Sequence, residues 1–179
     1  MEYTIQDNPI NSPESSETRE KNWFVLQVRP QAEQVVAALL KNKGYEQFLP
    51  LYKSRRKWSD RIKQIDMPLF PGYVFCRMTS EIVGRAVTTP GVIRIVGNRK
   101  VPIPVEESEI SAIQKIVESS LEGMPIPYLA VGQKVRIRSG PLMGAEGIVV
   151  GNKGGCRLVV SVGLLLRSVS VEIDRGWLN

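Results

Sequence analysis

The run Met67-Pro68-Leu69-Phe70-Pro71-Gly72-Tyr73-Val74-Phe75 limits what this chain can fold into more than any other stretch. It is the densest aromatic and apolar segment, and prolines interrupt it. Val74, Phe75 and Cys76 suit a buried strand, because β-branched and aromatic side chains fit a pleated surface. Pro68 and Pro71 cannot donate to a ladder and Gly72 tolerates a bend, so the strand must begin irregularly. Such a start pushes Phe70 and Tyr73 towards a sheet edge. Two uses follow from that. One is a core strand approached through a turn; the other is an aromatic docking patch, since contiguous exposed apolar surface marks partner sites.

The elements before this run follow from periodicity. Trp23-Phe24-Val25-Leu26-Gln27-Val28 is a nearly continuous apolar strand, which implies burial on both faces. Pro30 suits a helix start, and Ala32, Val35, Val36, Leu39 and Leu40 recur at helical spacing up to the stop at Gly44. A second strand is expected over 47–52. Residues 53–66 then hold six cations and two acids, a net +4 in fourteen residues. Lying between two strands, this stretch predicts a long hairpin with a basic tip. Arg55, Arg56, Lys57, Arg61 and Lys63 supply charge and Trp58 a stacking face, the pairing that nucleic-acid backbone contacts use. A solvated charged loop is the plainer alternative.

Beyond the aromatic run, a short helix over 80–87 is stopped by Thr89-Pro90-Gly91. A strand over 92–96 follows. A third helix begins among Glu106, Glu107 and Glu109, whose charges favour its first turn, and its apolar stripe is Ile110, Ile113, Ile116 and Val117. Two strands joined by a hairpin make a purely parallel sheet a poor fit, so an α+β sandwich is expected for 22–118. Residues 119–128 contain Gly123, Pro125 and Pro127 without periodicity and read as a linker. In 129–179 the expected strands are short (131–138, 146–150, 157–162 and 167–173) and glycines separate them. A small closed β-barrel is the architecture this pattern predicts.

Charge and composition narrow the function. The net charge of +6 conceals an acidic start: residues 1–22 carry five acids against two cations, so the remainder is +9. Residues 1–21 read as a disordered acidic tail, and the basic body suits nucleic acid or an acidic macromolecular surface. The chain has no histidine, and its cysteines, Cys76 and Cys156, have no metal-site spacing. No catalytic constellation, metal site or cofactor motif is evident. No apolar run reaches membrane-spanning length and no signal segment is visible. A cytoplasmic, monomeric, non-enzymatic protein without membrane contact is the expectation.

Two sets of motifs carry a resemblance. Gly132-Gln133-Lys134-Val135-Arg136-Ile137, Ser139-Gly140-Pro141-Leu142-Met143-Gly144 and Glu146-Gly147 resemble a KOW module. There Gly140 and Gly144 would take the positive φ of a tight turn and Gly147 would allow close backbone approach. Trp23-Phe24-Val25, Leu69-Phe70-Pro71-Gly72-Tyr73-Val74-Phe75 and Thr89-Pro90-Gly91-Val92 resemble the N-terminal domain (NGN) of the NusG family of transcription elongation factors. The order of the two domains matches, and the resemblance spans about 22–179. Pro50-Leu51-Tyr52, the basic run at 55–61 and Leu165-Leu166-Arg167-Ser168-Val169 are similar to the specialised UpxY and LoaP antiterminators.

The resemblance implies an NGN-like sandwich followed by an SH3-like KOW barrel. It also implies a factor that binds RNA polymerase and suppresses pausing and termination. Trp23, Phe70, Tyr73 and Phe75 would dock on the clamp helices of the polymerase β′ subunit. The basic hairpin would meet upstream or non-template DNA or a nascent RNA hairpin. Leu164, Leu165, Leu166 and Arg167 match the loop with which the family's housekeeping member meets a small-subunit ribosomal protein or Rho. This chain lacks the aromatic residue found there, which argues against Rho. Solvated leucines are costly at about 25 cal/mol per Å², so these should meet a partner, pack on the first domain or close the barrel. The competing readings are a ribosome-associated KOW protein that binds RNA, and the housekeeping factor acting in termination and transcription–translation coupling.

Overall fold

The computed structural model describes residues 20–57, 62–98, 101–129, 131–152 and 155–178. In chain order its first part contains β1 (Asn22–Val28), α1 (Glu33–Asn42), β2 (Glu46–Phe48), β3 (Leu51–Lys57), β4 (Ile62–Pro68) and β5 (Tyr73–Met78). A 3-10 turn, Ser80–Ile82, runs into α2 (Val83–Val87), followed by β6 (Val92–Ile95), the short ribbon β7 (Gly97–Asn98) and β8 (Val101–Pro102), and α3 (Glu107–Glu118). The second part contains β9 (Met124–Pro127), β10 (Gln133–Arg136), β11 (Glu146–Asn152), β12 (Gly155–Val162) and β13 (Arg167–Ile173), with 3-10 turns at Gly163–Leu165 and Arg175–Leu178.

The aromatic run supplies the second strand of an antiparallel sheet ordered β2-β5-β1-β6. Its irregular start is pinned by three bonds. Gly72, at φ +84, donates its amide to Glu33 Oε1 at 2.8 Å. The Gly72 carbonyl accepts from the Val28 amide, and the Tyr73 amide donates to the Phe70 carbonyl. The left-handed conformation at position 72 is one that glycine adopts without a Cβ penalty. Strand alternation then sorts the side chains. Phe24, Leu26, Val28, Val74, Cys76 and Met78 belong to one apolar cluster with Val36, Ala37, Leu40 and Ala86 of α1 and α2. Trp23, Val25 and Phe75 belong to a second cluster, together with α3.

Several sequence expectations shift here. The strand expected over 47–52 is broken after Phe48 and restarts at Leu51 as the first arm of the hairpin, with Pro50 buried at the break. The α1 stripe is rotated: Glu33, Val36, Ala37 and Leu40 are buried, whereas Val35 is exposed. Val117, expected on the α3 stripe, is also exposed, and Ala112 takes an inward place beside Ile110, Ile113 and Ile116. Within the stretch read as a linker, Met124–Pro127 is a strand paired with β13, so the irregular connection narrows to 119–123.

The C-terminal half is the expected small β-barrel unit, its strands ordered β10-β11-β12-β13-β9 and all antiparallel. The KOW-type glycines sit as their chemistry requires. Gly140 and Gly144 have φ +79 and +80, and a Cβ at Gly147 would meet the Val159 carbonyl at 2.5 Å. Trp177, from the last 3-10 turn, lies over Gly140. Leu158, Val160, Val162, Val169 and Val171 are buried in the same cluster as Trp23, Phe75 and α3, so the two halves share one apolar core. Phe75 is fully buried in it and touches the rings of Phe48 and Phe70. Phe75→Ala is therefore expected to cost about 3–5 kcal/mol, read as a shifted denaturation midpoint with an unchanged slope.

Candidate functional site: a ring-lined face and a basic hairpin

The candidate docking residues come together, but they are covered. β1 and β5 set Val25 opposite Phe75 and Gln27 opposite Tyr73, and β2 sets Phe48 opposite Phe75. The rings form a continuous series. Trp23 meets Phe48 at 6.3 Å, Phe48 meets Phe75 at 6.1 Å, and Phe75 meets Phe70 edge-on at 5.5 Å. Such separations and tilts are those that aromatic quadrupoles favour. Phe70, expected at a sheet edge, is only 1% exposed, and Trp23 and Phe75 are buried with it. The correction has a physical cause: α3 and the second domain complete an apolar core over that face. Tyr73 alone of the four remains half-buried.

The cover is specific. The Arg167 guanidinium lies 5.9 Å from the Tyr73 ring centroid, within cation–π range. The Gly163 amide donates to Glu109 Oε1 at 3.2 Å, and Lys115 Nζ donates to the Met143 carbonyl at 2.8 Å. The leucine loop, expected at a hairpin tip with its leucines against a partner, the first domain or the barrel, is a 3-10 turn. Leu164 and Leu165 are half-buried against the shared core, while Leu166 is exposed at φ +49. Burial raises the Glu109 carboxyl above its ordinary value; the Gly163 bond opposes this and the neighbouring Glu106 adds to it.

The basic stretch forms the predicted hairpin, with Lys57 paired to Ile62 nearest the tip. Trp58 and Arg61 lie outside the described residues. Arg55 and Lys63 are exposed, and Lys53 is paired with Asp66 at 2.6 Å. The register sets Arg56 directly opposite Lys63. The hairpin pairs only with itself, and a cleft of about 870 Å³ lies between its root (Tyr52, Lys53, Arg55) and the turn after α3 (Ser119, Leu121, Glu122).

Sequence reasoning missed Phe48, Glu33, Glu109 and Arg77. Arg77 lies 5.9 Å from the Trp23 ring centroid and pairs with Glu46 and Glu107. A signal existed for Glu109: it stands four residues before Ile113, on the edge of the apolar stripe. Nothing in the described residues resembles a reaction centre. Among the described residues no group of three or more His, Cys, Asp or Glu is placed to hold a metal. Cys76 is buried and its thiol is pushed up to about 12, by burial first and by Glu46 second. Among these residues no helix is long and apolar enough to cross a membrane.

The chain thus joins a mixed α/β part, with a ring-lined sheet face and a basic hairpin, to a small β-barrel part through one shared core. The comparisons with known proteins identify the kind. Residues 21–114 match the family model described as "Transcription termination factor nusG". The transcription termination/antitermination protein NusG of Lactococcus lactis is 28% identical over 169 residues, covering 87% of this chain and 90% of that protein. Its counterpart in Streptococcus pyogenes is 31% identical over 145 residues, covering 73% and 80%. A solved structure titled "Domain interaction in Thermotoga maritima NusG" aligns with TM-score 0.47 and 21% identity over 85% of this chain and 93% of that one. The chain belongs to the NusG family of transcription factors.

The Glu109 contact makes a pH prediction. A carboxyl whose folded-state value is raised contributes stability that is fully present below its ordinary value of 4.5 and is lost as pH rises through the raised value. Glu109→Gln keeps an oxygen for the Gly163 amide and removes the charge. The difference in unfolding free energy between wild type and Glu109→Gln should therefore shift in favour of the variant as pH rises through that window and level off above it. A difference independent of pH would contradict this.

Proposed function

We infer that this protein is a specialised NusG-family elongation factor that binds RNA polymerase and suppresses pausing and termination. The observation that carries the reading is the ring series Trp23–Phe48–Phe75–Phe70 with Tyr73 at its margin. Interfaces concentrate their binding energy in aromatic anchors; Tyr73 is the half-buried ring of this face, and the family resemblance assigns the face to the clamp helices of the β′ subunit. A factor that bridges the polymerase cleft from there holds the clamp closed. Pausing and termination need the open or swivelled state, so transcription is altered by population shift and no bond is broken.

The hairpin supplies the second contact. Arg55, Arg56, Lys57 and Lys63 would meet phosphates of upstream or non-template DNA or of a nascent RNA hairpin. Phosphate contacts position a protein without reading sequence. The specialised reading is supported by Pro50-Leu51-Tyr52, the basic run and Leu165-Leu166-Arg167-Ser168-Val169. The housekeeping reading is favoured by the names of the curated relatives, which include both termination and antitermination. The two part at the leucine loop: a specialised factor of this sequence engages no Rho, and its barrel meets a small-subunit ribosomal protein if it meets the ribosome at all.

Two measurements test this function. Tyr73→Ala should weaken binding of the full chain to core RNA polymerase by about 2 kcal/mol, whereas Arg55→Ala should change it only a few-fold. Equal effects, or binding to ribosomes without polymerase, would overturn the assignment. Lys63→Glu should weaken nucleic-acid binding and lower its salt slope by about 1. A slope that does not move would reduce the hairpin to solvated surface.

A further inference from the structure

We propose that the acidic start of this chain, residues 2–7, docks as an added strand along the open edge of β3, in the cleft between the hairpin root and the turn after α3. The docking does not depend on the polymerase reading, and its consequence for nucleic acid rests on the hairpin reading above. Every residue from 51 to 55 lines that cleft, whereas β4 contributes only Gln64 and Asp66. A cleft lined by consecutive residues of one strand runs along the edge of that strand. Among the described residues β3 pairs with β4 alone, so its outer edge is open. The facing wall leaves Val117 and Met124 exposed within the same cleft. Extended peptides add to such edges through main-chain hydrogen bonds, and their alternate side chains decide which peptide fits.

The occupant follows from the alternation of both partners. In Glu2-Tyr3-Thr4-Ile5-Gln6-Asp7 a period of two puts Tyr3 and Ile5 on one face and Glu2, Thr4 and Gln6 on the other. β3 is divided in the same way, with Tyr52 and Ser54 on one face and Lys53 and Arg55 on the other. Laid side by side, the strands set apolar side chains beside Tyr52 and a carboxylate beside a cation. Asp66 already takes Lys53 at 2.6 Å, so Arg55 is the cation that Glu2 would meet, and Glu122 stands on the opposite wall. Net charge agrees: residues 1–19 hold Glu2, Asp7, Glu14 and Glu17 against Arg19, a net −3, while Leu51–Lys57 holds four cations and no acid.

Reach agrees as well. Residues 1–19 lie outside the described residues, and the described chain enters beside the first turn of α3. There the Lys21 carbonyl accepts from Arg77, which pairs with Glu107. The cleft lies at the other end of that 12-residue helix, about 18 Å along its axis. Residues 8–19 span about 40 Å when extended, more than this path needs. A tail docked in about nine molecules of ten lowers the apparent affinity of the hairpin for nucleic acid about tenfold.

The test uses the full chain. A nitroxide is attached at Thr4→Cys, which is the reactive thiol because both native cysteines are buried and the Cys76 thiol is pushed up to about 12. The amide signals of Lys53, Ser54, Arg55 and Leu121 should broaden, and should recover when Tyr3→Ser/Ile5→Ser is added. Signals that never broaden would overturn the docking. Broadening that persists when nitroxide and isotope are on different molecules would overturn it too, because the occupant is then a second copy. The second arm measures binding of single-stranded oligodeoxythymidylate. Tyr3→Ser/Ile5→Ser leaves the net charge at +6, so its binding should tighten about tenfold only if a docked tail is released. Equal affinity of variant and wild type would overturn the screening. If neither binds the oligonucleotide, the hairpin reading fails, and the docking stands or falls on the broadening alone.

Discussion

Ile110, Ala112, Ile113 and Ile116 of α3 are buried in a cluster to which both sheets contribute, and the other interdomain contacts are arranged around that helix. Apolar burial attracts without direction, so it cannot by itself choose how one domain sits on the other. The polar contacts on the same helix do that. Glu109 holds Gly163 near its start and Lys115 holds the Met143 carbonyl near its end, with the two α3 positions about 9 Å apart along the axis at 1.5 Å per residue. Two such points fix the direction of the helix across the barrel. The connection over 119–123 continues the arrangement: Ser119 Oγ donates to the Ile116 carbonyl and accepts from the Leu121 amide. Gly123 is buried where a Cβ would strike Ile116 and press on Val169.

The four candidate docking residues therefore differ in kind. Phe70 and Phe75 have no polar atom and are sealed, as a core admits them at no hydrogen-bonding cost. Trp23 is sealed although its Nε1 has no hydrogen-bond partner among the described residues. An unpaired buried donor costs about 1–3 kcal/mol, and the adjacent Arg77 adds a cation to the same ring face rather than an acceptor. Tyr73 keeps its margin position, where a ring can pack on one side and remain reachable on the other.

Much of the fold was legible because its signals are local. The strand at 23–28, the helix stop at Gly44, the basic hairpin and the glycine-separated strands of the second half follow from periodicity and turn chemistry, and the structure has each of them. The misplacements all involve tertiary context. Val35 satisfies the helical spacing but lies on the solvent side, since Glu33 is taken inward to bond Gly72. Residues 124–127 have no strand periodicity, yet β13 offers them an edge. The candidate rings were legible as a group, and their burial was not. A sequence shows that a face is apolar without showing what covers it, and here the cover comes from residues 163–167, some ninety positions away.

That cover governs how the domains can part. Uncovering apolar surface costs about 2.5 kcal/mol for every ~100 Å² at 25 cal/mol per Å². A cation–π contact and a hydrogen bond at a half-buried margin hold only about 0.5–1.5 kcal/mol each. These polar contacts are therefore the smaller part of what holds the two halves together, and the shared apolar core around α3 is the greater part; the contacts set the orientation that the core alone leaves open.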